Sequence, residues 1–395
     1  MSCRASRSNC SVDTITRIAK GFGKLYDFAA NALDNEFLFS SQMFLDTHDL
    51  WEGKKFNVYQ TLKKLSPSCD ELISNCCWDG VDYNCMDLFV FEVTIEGFCC
   101  IFNFVPTRHN HTISNITTNI IKSNKNKPLK GANLKGLSLT LHHNVSDYFY
   151  PLLSSTGATV DIFNANDIPD VNSGGLHYRL IPVGVEIYLK LGATVVQSMP
   201  EIKKYSVTKR KCIFPEESRT MLGDKYSYSD CLLDCRIRSI MSLCECIPFT
   251  YVTAFNNLTM PQCNLLHTAC LDKYQHKWRR YYPYGYHDDD IEIEKQDSLQ
   301  CENCVPTCHN TFYTVTNDFT YIYQMRNSPT NLSRVHIFFS SVNAKYYKHD
   351  VIFYWYEILS NFGGTCGLTM GLSLIGVVEF FYYFSVRLVQ NWIFK

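Results

Sequence analysis

YSDCLLDCRIRSIMSLCECIP, residues Tyr228 to Pro248, places Cys231, Cys235, Cys244 and Cys246 in a stretch of helical character. Cys212 lies just upstream, and Cys263, Cys270, Cys301, Cys304 and Cys308 follow. The whole chain has 19 cysteines in 395 residues, concentrated between 69 and 100 and between 212 and 308. Setting aside Cys3 and Cys10 near the terminus and Cys366 in an apolar run leaves sixteen. An even number suits a disulfide framework, and such a framework needs an oxidising compartment. Spacing does not fix the pairing. Taken singly, Cys301-x2-Cys304-x3-Cys308 also fits a zinc site, because thiolates at that separation can share one tetrahedral ion.

Outward from the cysteines, other features bear on the compartment. N-x-S/T sequons occur at Asn9, Asn110, Asn115, Asn144, Asn257 and Asn331, and such sites are glycosylated only on the lumenal side. A formal charge of −1, with Lys and Arg scattered, leaves no electrostatic footprint for nucleic acid. Hydrophobic residues make up 46%, which excludes general disorder. From Thr365 to Val386 the sequence TCGLTMGLSLIGVVEFFYYFSV is long and apolar enough to cross a hydrocarbon core of about 30 Å, so a single transmembrane helix is expected there. Tyr346, Tyr347, Phe353, Tyr354, Trp355 and Tyr356 before it form an aromatic cluster suited to the headgroup level. Residues 1–49 hold Arg4, Arg7, Arg17, Lys20 and Lys24 but no apolar run that could start export. Oxidised cysteines behind such an N-terminus imply that an upstream membrane segment is missing from this sequence.

Across residues 11–50, spaced apolar positions (Ile15, Ile18, Ala19, Phe22, Leu25, Tyr26 and Phe28) suit an amphipathic helix, and Tyr59–Cys77 predicts a shorter one. Alternation in Phe89–Phe104 predicts strands broken at Gly97. Residues 106–135 read as a polar loop. Leu137–Val145, Thr159–Phe163, Val183–Val196 and Tyr205–Cys212 read as β-rich, and Arg334–Ser341 as a final strand. The His287-Asp288-Asp289-Asp290 run is a candidate proton or cation binder, weighed against a solvated loop.

Three separated signatures resemble the degenerin/epithelial sodium channel family, and its pickpocket branch in particular. They are LSPSCDELISNCCWDGVDYNC with EGFCCIFN between Leu65 and Asn103, the cysteine run from Tyr228 to Cys308, and LSNFGG with GLTMGLS from Leu359 to Ser373, ending at Glu379. The resemblance implies an α+β fold: a disulfide-rich extracellular domain with a β-rich palm and ball core and helical finger and thumb, followed by one C-terminal transmembrane helix. It divides the chain into an ectodomain at 1–350, a pre-membrane segment and second membrane helix at 351–388, and a cytoplasmic tail at 389–395. It implies a plasma-membrane cation channel subunit that assembles as a homo- or heterotrimer with related subunits, passes sodium ions, contacts membrane lipid and is blocked by amiloride. A helix stripe of Glu357, Asn361, Gly364, Leu368, Gly371, Ile375 and Glu379 would line the axis. Glu379 is the one carboxylate in the span, and an intramembrane charge reads as functional.

By the same resemblance, Gly371-Leu372-Ser373 stands at the selectivity filter, with Leu372 replacing a small residue. Ser360 stands at the position where bulky side chains affect gating. Relatives carry a first membrane helix, so this chain alone is expected not to conduct. The competing reading is a single-span, non-conducting cell-surface receptor or adhesion protein. No cofactor, enzyme or nucleic-acid partner is expected, because His109, His111, His142 and His143 belong to no recognisable catalytic motif.

Overall fold

The computed structural model describes residues 12–28, 35–47, 56–103, 136–145, 155–165, 167–171, 175–220, 225–251, 261–282, 295–322, 331–341, 343–371 and 373–393. The chain forms two units, one of Met1–Gln197 with Ser206–Tyr347, the other of Ser198–Tyr205 with Lys348–Lys395. The first is disulfide-rich and mixes helix and sheet. The expected 106–135 loop, the 287–290 acidic run and Asn110, Asn115, Asn257 and Leu372 lie outside the described residues.

In chain order the strands are β1 (Ile73–Trp78), β2 (Val81–Tyr83), β3 (Phe89–Thr94), β4 (Gly97–Phe102), β5 (Leu137–His142), β6 (Gly157–Ile162), β7 (His177–Pro182), β8 (Val185–Ser198), β9 (Tyr281–Tyr282), β10 (Leu299–Gln300), β11 (His309–Tyr321), β12 (Leu332–Phe339) and β13 (Lys345–His349). The principal sheet has the order β11-β8-β12-β5-β1-β2, and β13 adds to β8. There, Tyr346 Oη donates to Gln197 at 2.9 Å. β12 runs parallel to β8 and antiparallel to β5. Side chains two apart share a face of a strand. Leu137, Leu139 and Leu141, Ile187, Leu189 and Leu191, and Val335 accordingly fill one core.

A second core is helical. Ile18, Phe22 and Leu25 come from the helix Val12–Asp27, and Leu233, Ile237 and Ile240 from the helix Tyr228–Cys244. Leu271 and Trp278 come from the helix Thr268–Arg279. Within the expected 11–50 segment the described residues form two helices, Val12–Asp27 and Asn35–Thr47. β3 and β4 form a hairpin whose turn ends at Gly97, φ +109°, with the Tyr26 ring 2.6 Å from where a Cβ would stand. Both the backbone angle and the close ring demand glycine at this position.

The ten cysteines between 212 and 308 pair as Cys212–Cys308, Cys231–Cys304, Cys235–Cys301, Cys244–Cys270 and Cys246–Cys263. Cys301, Cys304 and Cys308 are therefore disulfide sulfurs and not zinc ligands. Upstream, Cys69 pairs with Cys100 and Cys76 with Cys85. The expected framework of sixteen is corrected to fourteen among the described residues, since Cys77 and Cys99 are free. Both belong to vicinal pairs in strands, where adjacent side chains point to opposite faces. Only one of each pair can reach the partner on a given side.

Four other expectations change. Residues Ile73–Cys77 are strand, not helix, because β1 pairs with both β5 and β2. Tyr205–Cys212 holds a single helical turn, Val207–Arg210, closed by Lys211 at φ +55°. Arg210 is buried there, its Nε donating to Cys212 O at 2.8 Å, and it pairs with Glu217. β7 and β11 were not anticipated; the Thr- and aromatic-rich β11 was masked by its cysteine-dense surroundings. Lastly, no single described helix is long and apolar enough to cross a membrane. The expected span is broken into a bent pair, for the local reasons given below.

Candidate functional site

The second unit begins with a tie between two distant segments. The Met199 N–H donates to His349 O at 2.9 Å, and Ser198 Oγ lies 3.1 Å from His349 Nδ1. The chain then turns at Asp350. Its Oδ1 accepts from the Val351 N–H at 2.8 Å and from Tyr354 Oη at 2.7 Å, and its Oδ2 pairs with Lys348 Nζ at 2.8 Å. These donors, Lys348 first and Tyr354 next, hold the Asp350 carboxyl down to about 2. Tyr354 caps the following helix, its N–H donating to Glu357 Oε2 at 3.0 Å. The Tyr354 and Tyr356 rings stack 5.5 Å apart.

That helix, Trp355–Met370, carries Ser360, Asn361, Gly364 and Leu368. Thr365 and Thr369 side chains donate back to the carbonyls of Asn361 and Thr365, both at 2.8 Å. Such bonds satisfy hydroxyls where water is excluded. The helix ends at Gly371, whose φ of +64° favours glycine and whose N–H closes on Cys366 O and Gly367 O. Ser373 then caps a new helix, Leu374–Phe381, with Oγ accepting from the Gly376 N–H at 3.1 Å. Ile375 and Glu379 lie on this second helix, and helical structure continues to Ile393. The two arms, Trp355–Met370 and Leu374–Ile393, bend by 82° and have the length and composition to cross a membrane only together.

The stripe expected along one helix is accordingly split. Asn361, Gly364 and Leu368 lie before the break, Gly371 and Ser373 form its edges, and Ile375 and Glu379 follow it. Gly371, with Ser373 two residues on and three before the Gly376 amide that it caps, is the sequence signal for the break. Both arms expose apolar side chains, among them Leu368 at 90% and Trp392 at 85%. Exposed apolar surface on this scale marks a face made for lipid or for other subunits.

Two other features lie in the first unit. Asn144 and Asn331 are both exposed at one end of the β5–β12 pair. On the sheet, Ser138 Oγ meets His336 Nδ1 at 2.8 Å, His336 Nε2 meets Glu186 Oε1 at 3.0 Å, and Tyr188 Oη donates to the same Glu186 oxygen at 2.9 Å. Burial raises the Glu186 carboxyl, but the hydrogen bonds from Tyr188 and His336 prevail and lower it. This seam crosses β5, β12 and β8. It was not anticipated, because its residues are adjacent only through strand register.

The model of the amiloride-sensitive sodium channel family matches residues 11–383. The chain is 26% identical over 382 residues to a sodium channel protein Nach of Drosophila ananassae, covering 94% of this chain and 67% of that relative. It is 26% identical over 366 residues to Pickpocket protein 11 of Drosophila melanogaster, covering 90% and 62%. Against epithelial sodium channel subunit gamma of Homo sapiens it is 24% identical over 357 residues, covering 83% and 49%. The chain thus spans between about half and two thirds of the length of these relatives.

Proposed function

Because this chain belongs to the amiloride-sensitive sodium channel family, we propose that it is a subunit of a stimulus-gated cation channel in the plasma membrane. It passes sodium, is blocked by amiloride, and works as a trimer with copies of itself or related subunits. Residues 1–350 are its extracellular part, with palm, ball, finger, knuckle and thumb-like regions. Residues 351–388 approach and enter the membrane, and 389–395 form a short cytoplasmic tail. The observation that carries this reading is the helix break at Gly371 and Ser373. Non-helical backbone at membrane depth is tolerated only where it is buried in protein or lines a water-filled cavity. A ring of such breaks around an axis offers backbone carbonyls, freed from helical bonding, to a partly dehydrated cation.

On this reading Gly371, Leu372 and Ser373 form the filter. Asn361, Gly364 and Leu368 line the pore on one side of it, and Ile375 and Glu379 on the other. Three Glu379 carboxylates concentrate cations near the inner end. Ser360 sits beside Asn361, where added bulk holds the closed packing apart.

The test is two-electrode voltage clamp of the chain expressed alone and together with a longer relative. Ser360→Trp is expected to give a standing, amiloride-sensitive sodium current. Glu379→Gln in that background is expected to cut it several-fold, and Gly371→Ala to abolish it. Surface-expressed chain that never changes the current in any of these combinations would falsify the reading.

A further inference from the structure

Two sequons that lie far apart in sequence meet in the fold. Asn144-Val145-Ser146 follows β5, and Asn331-Leu332-Ser333 leads into β12. Leu332 stands opposite His142, and the pairing extends one step further, the His143 N–H donating to Asn331 O at 2.8 Å. Asn144 is therefore diagonal to Asn331, about 6 Å away between Cα atoms at ordinary strand spacing and rise. Both are exposed. We infer that Asn144 and Asn331 carry a pair of N-linked glycans that bracket this end of the β5–β12 pair and keep it facing solvent.

The fold also dictates when Asn331 is modified. The hydroxyl of its sequon belongs to Ser333, which is 0% exposed. Its Oγ donates to Pro182 O at 2.7 Å and lies 3.0 Å from His143 Nε2. A transferase cannot reach it once β12 has docked on β5. Asn331 must be glycosylated before the sheet closes, during synthesis. This inference rests on the proposed extracellular placement of residues 1–350.

The test uses the full chain from cultured insect cells, with glycopeptides mapped by mass spectrometry after peptide-N-glycosidase in heavy-oxygen water. Label is expected at both Asn144 and Asn331. Asn144→Gln and Asn331→Gln should each lose one glycan-sized gel step. Ser333→Thr should keep the Asn331 step, and Ser333→Ala should lose it. Folded, unglycosylated chain given oligosaccharyltransferase and lipid-linked donor should gain no label at Asn331. Label at Asn110, Asn115 or Asn257 with Asn144 and Asn331 bare overturns the inference and leaves the extracellular placement standing. No label at any sequon overturns both, and labelling of Asn331 on the folded chain overturns the order of events.

Discussion

Asp161, on β6, is a half-buried carboxyl raised to about 6 by desolvation first and by Glu96 second. Glu96 is itself raised, by burial and then by Asp170. An unfolded aspartate titrates near 3.9. The folded chain therefore holds the Asp161 proton to higher pH, so this stabilisation is full below about pH 4 and is lost as pH rises through about 6. Asp161→Asn is expected to raise stability at pH 7.5 by on the order of 2–3 kcal/mol and to give no advantage at pH 4. Urea unfolding at the two values checks it, and an equal gain at both sinks the idea. His143 acts in the opposite sense. Burial, then His142, lowers its affinity for a proton, so its contribution is full above about pH 6.5 and is lost on acidification. A second test concerns Arg236, buried and paired with Asp170 at 3.0 Å under the Tyr281 ring. Asp170→Asn leaves that cation without its carboxylate, at a cost of about 3 kcal/mol, whereas Asp170→Leu with Arg236→Met should regain most of the loss. A loss under 1 kcal/mol for the single variant would show that other partners already compensate the charge.

Among the elements, the helix Tyr228–Cys244 carries the most cross-links. Cys231–Cys304 and Cys235–Cys301 fix one face of it, and Cys244–Cys270 its end. Its start is held separately, with Ser227 and Ser229 hydroxyls on Asp167 and the Ile168 N–H on Ser229 Oγ at 3.1 Å. Cys231–Cys304 bridges a sequence separation of 73 residues. With Cys235–Cys301 intact, however, the ring this bond adds is only residues 231–235 with 301–304, about nine residues, for which chain entropy gives about 2–3 kcal/mol. Replacing both cysteines by serine should lower unfolding free energy in that range, without altering the pairing of Cys235 with Cys301 in a non-reducing peptide map. Reshuffled bonds in that map would mean the rungs are interdependent. The broken helix makes a further prediction at this scale. Ser373→Ala removes the side-chain acceptor that caps the second arm and should cost about 1 kcal/mol. The readout is a lower melting temperature of the detergent-purified protein, which Ser373→Asp should restore.

At the scale of the whole molecule, what could be read in advance divides along a physical line. Local signals carried far: the amphipathic Ile15–Phe28 segment, the hairpin broken at Gly97 and the cysteine density each act within a short stretch of chain. Relations set by register did not, which is why the Ser138–His336–Glu186 seam, the vicinal free thiols and the joining of β8 to β12 emerge only from the assembled sheet. The segment expected to span the membrane lies between these cases. Its apolar run was plain from Thr365 to Val386, yet Gly371 and Ser373 inside it are an ordinary stop and start signal that divides it. A consequence follows for how the chain is held. Neither arm alone meets the length and composition of a span, so retention should depend on both. The full chain is expected to stay in the membrane pellet through alkaline carbonate extraction. Ile358→Lys with Phe362→Lys on the first arm, or Leu374→Lys with Val378→Lys on the second, should each release most of it. If lysines on one arm release the chain and those on the other do not, that second arm lies outside the hydrocarbon, and the proposed pore shortens to a single helix.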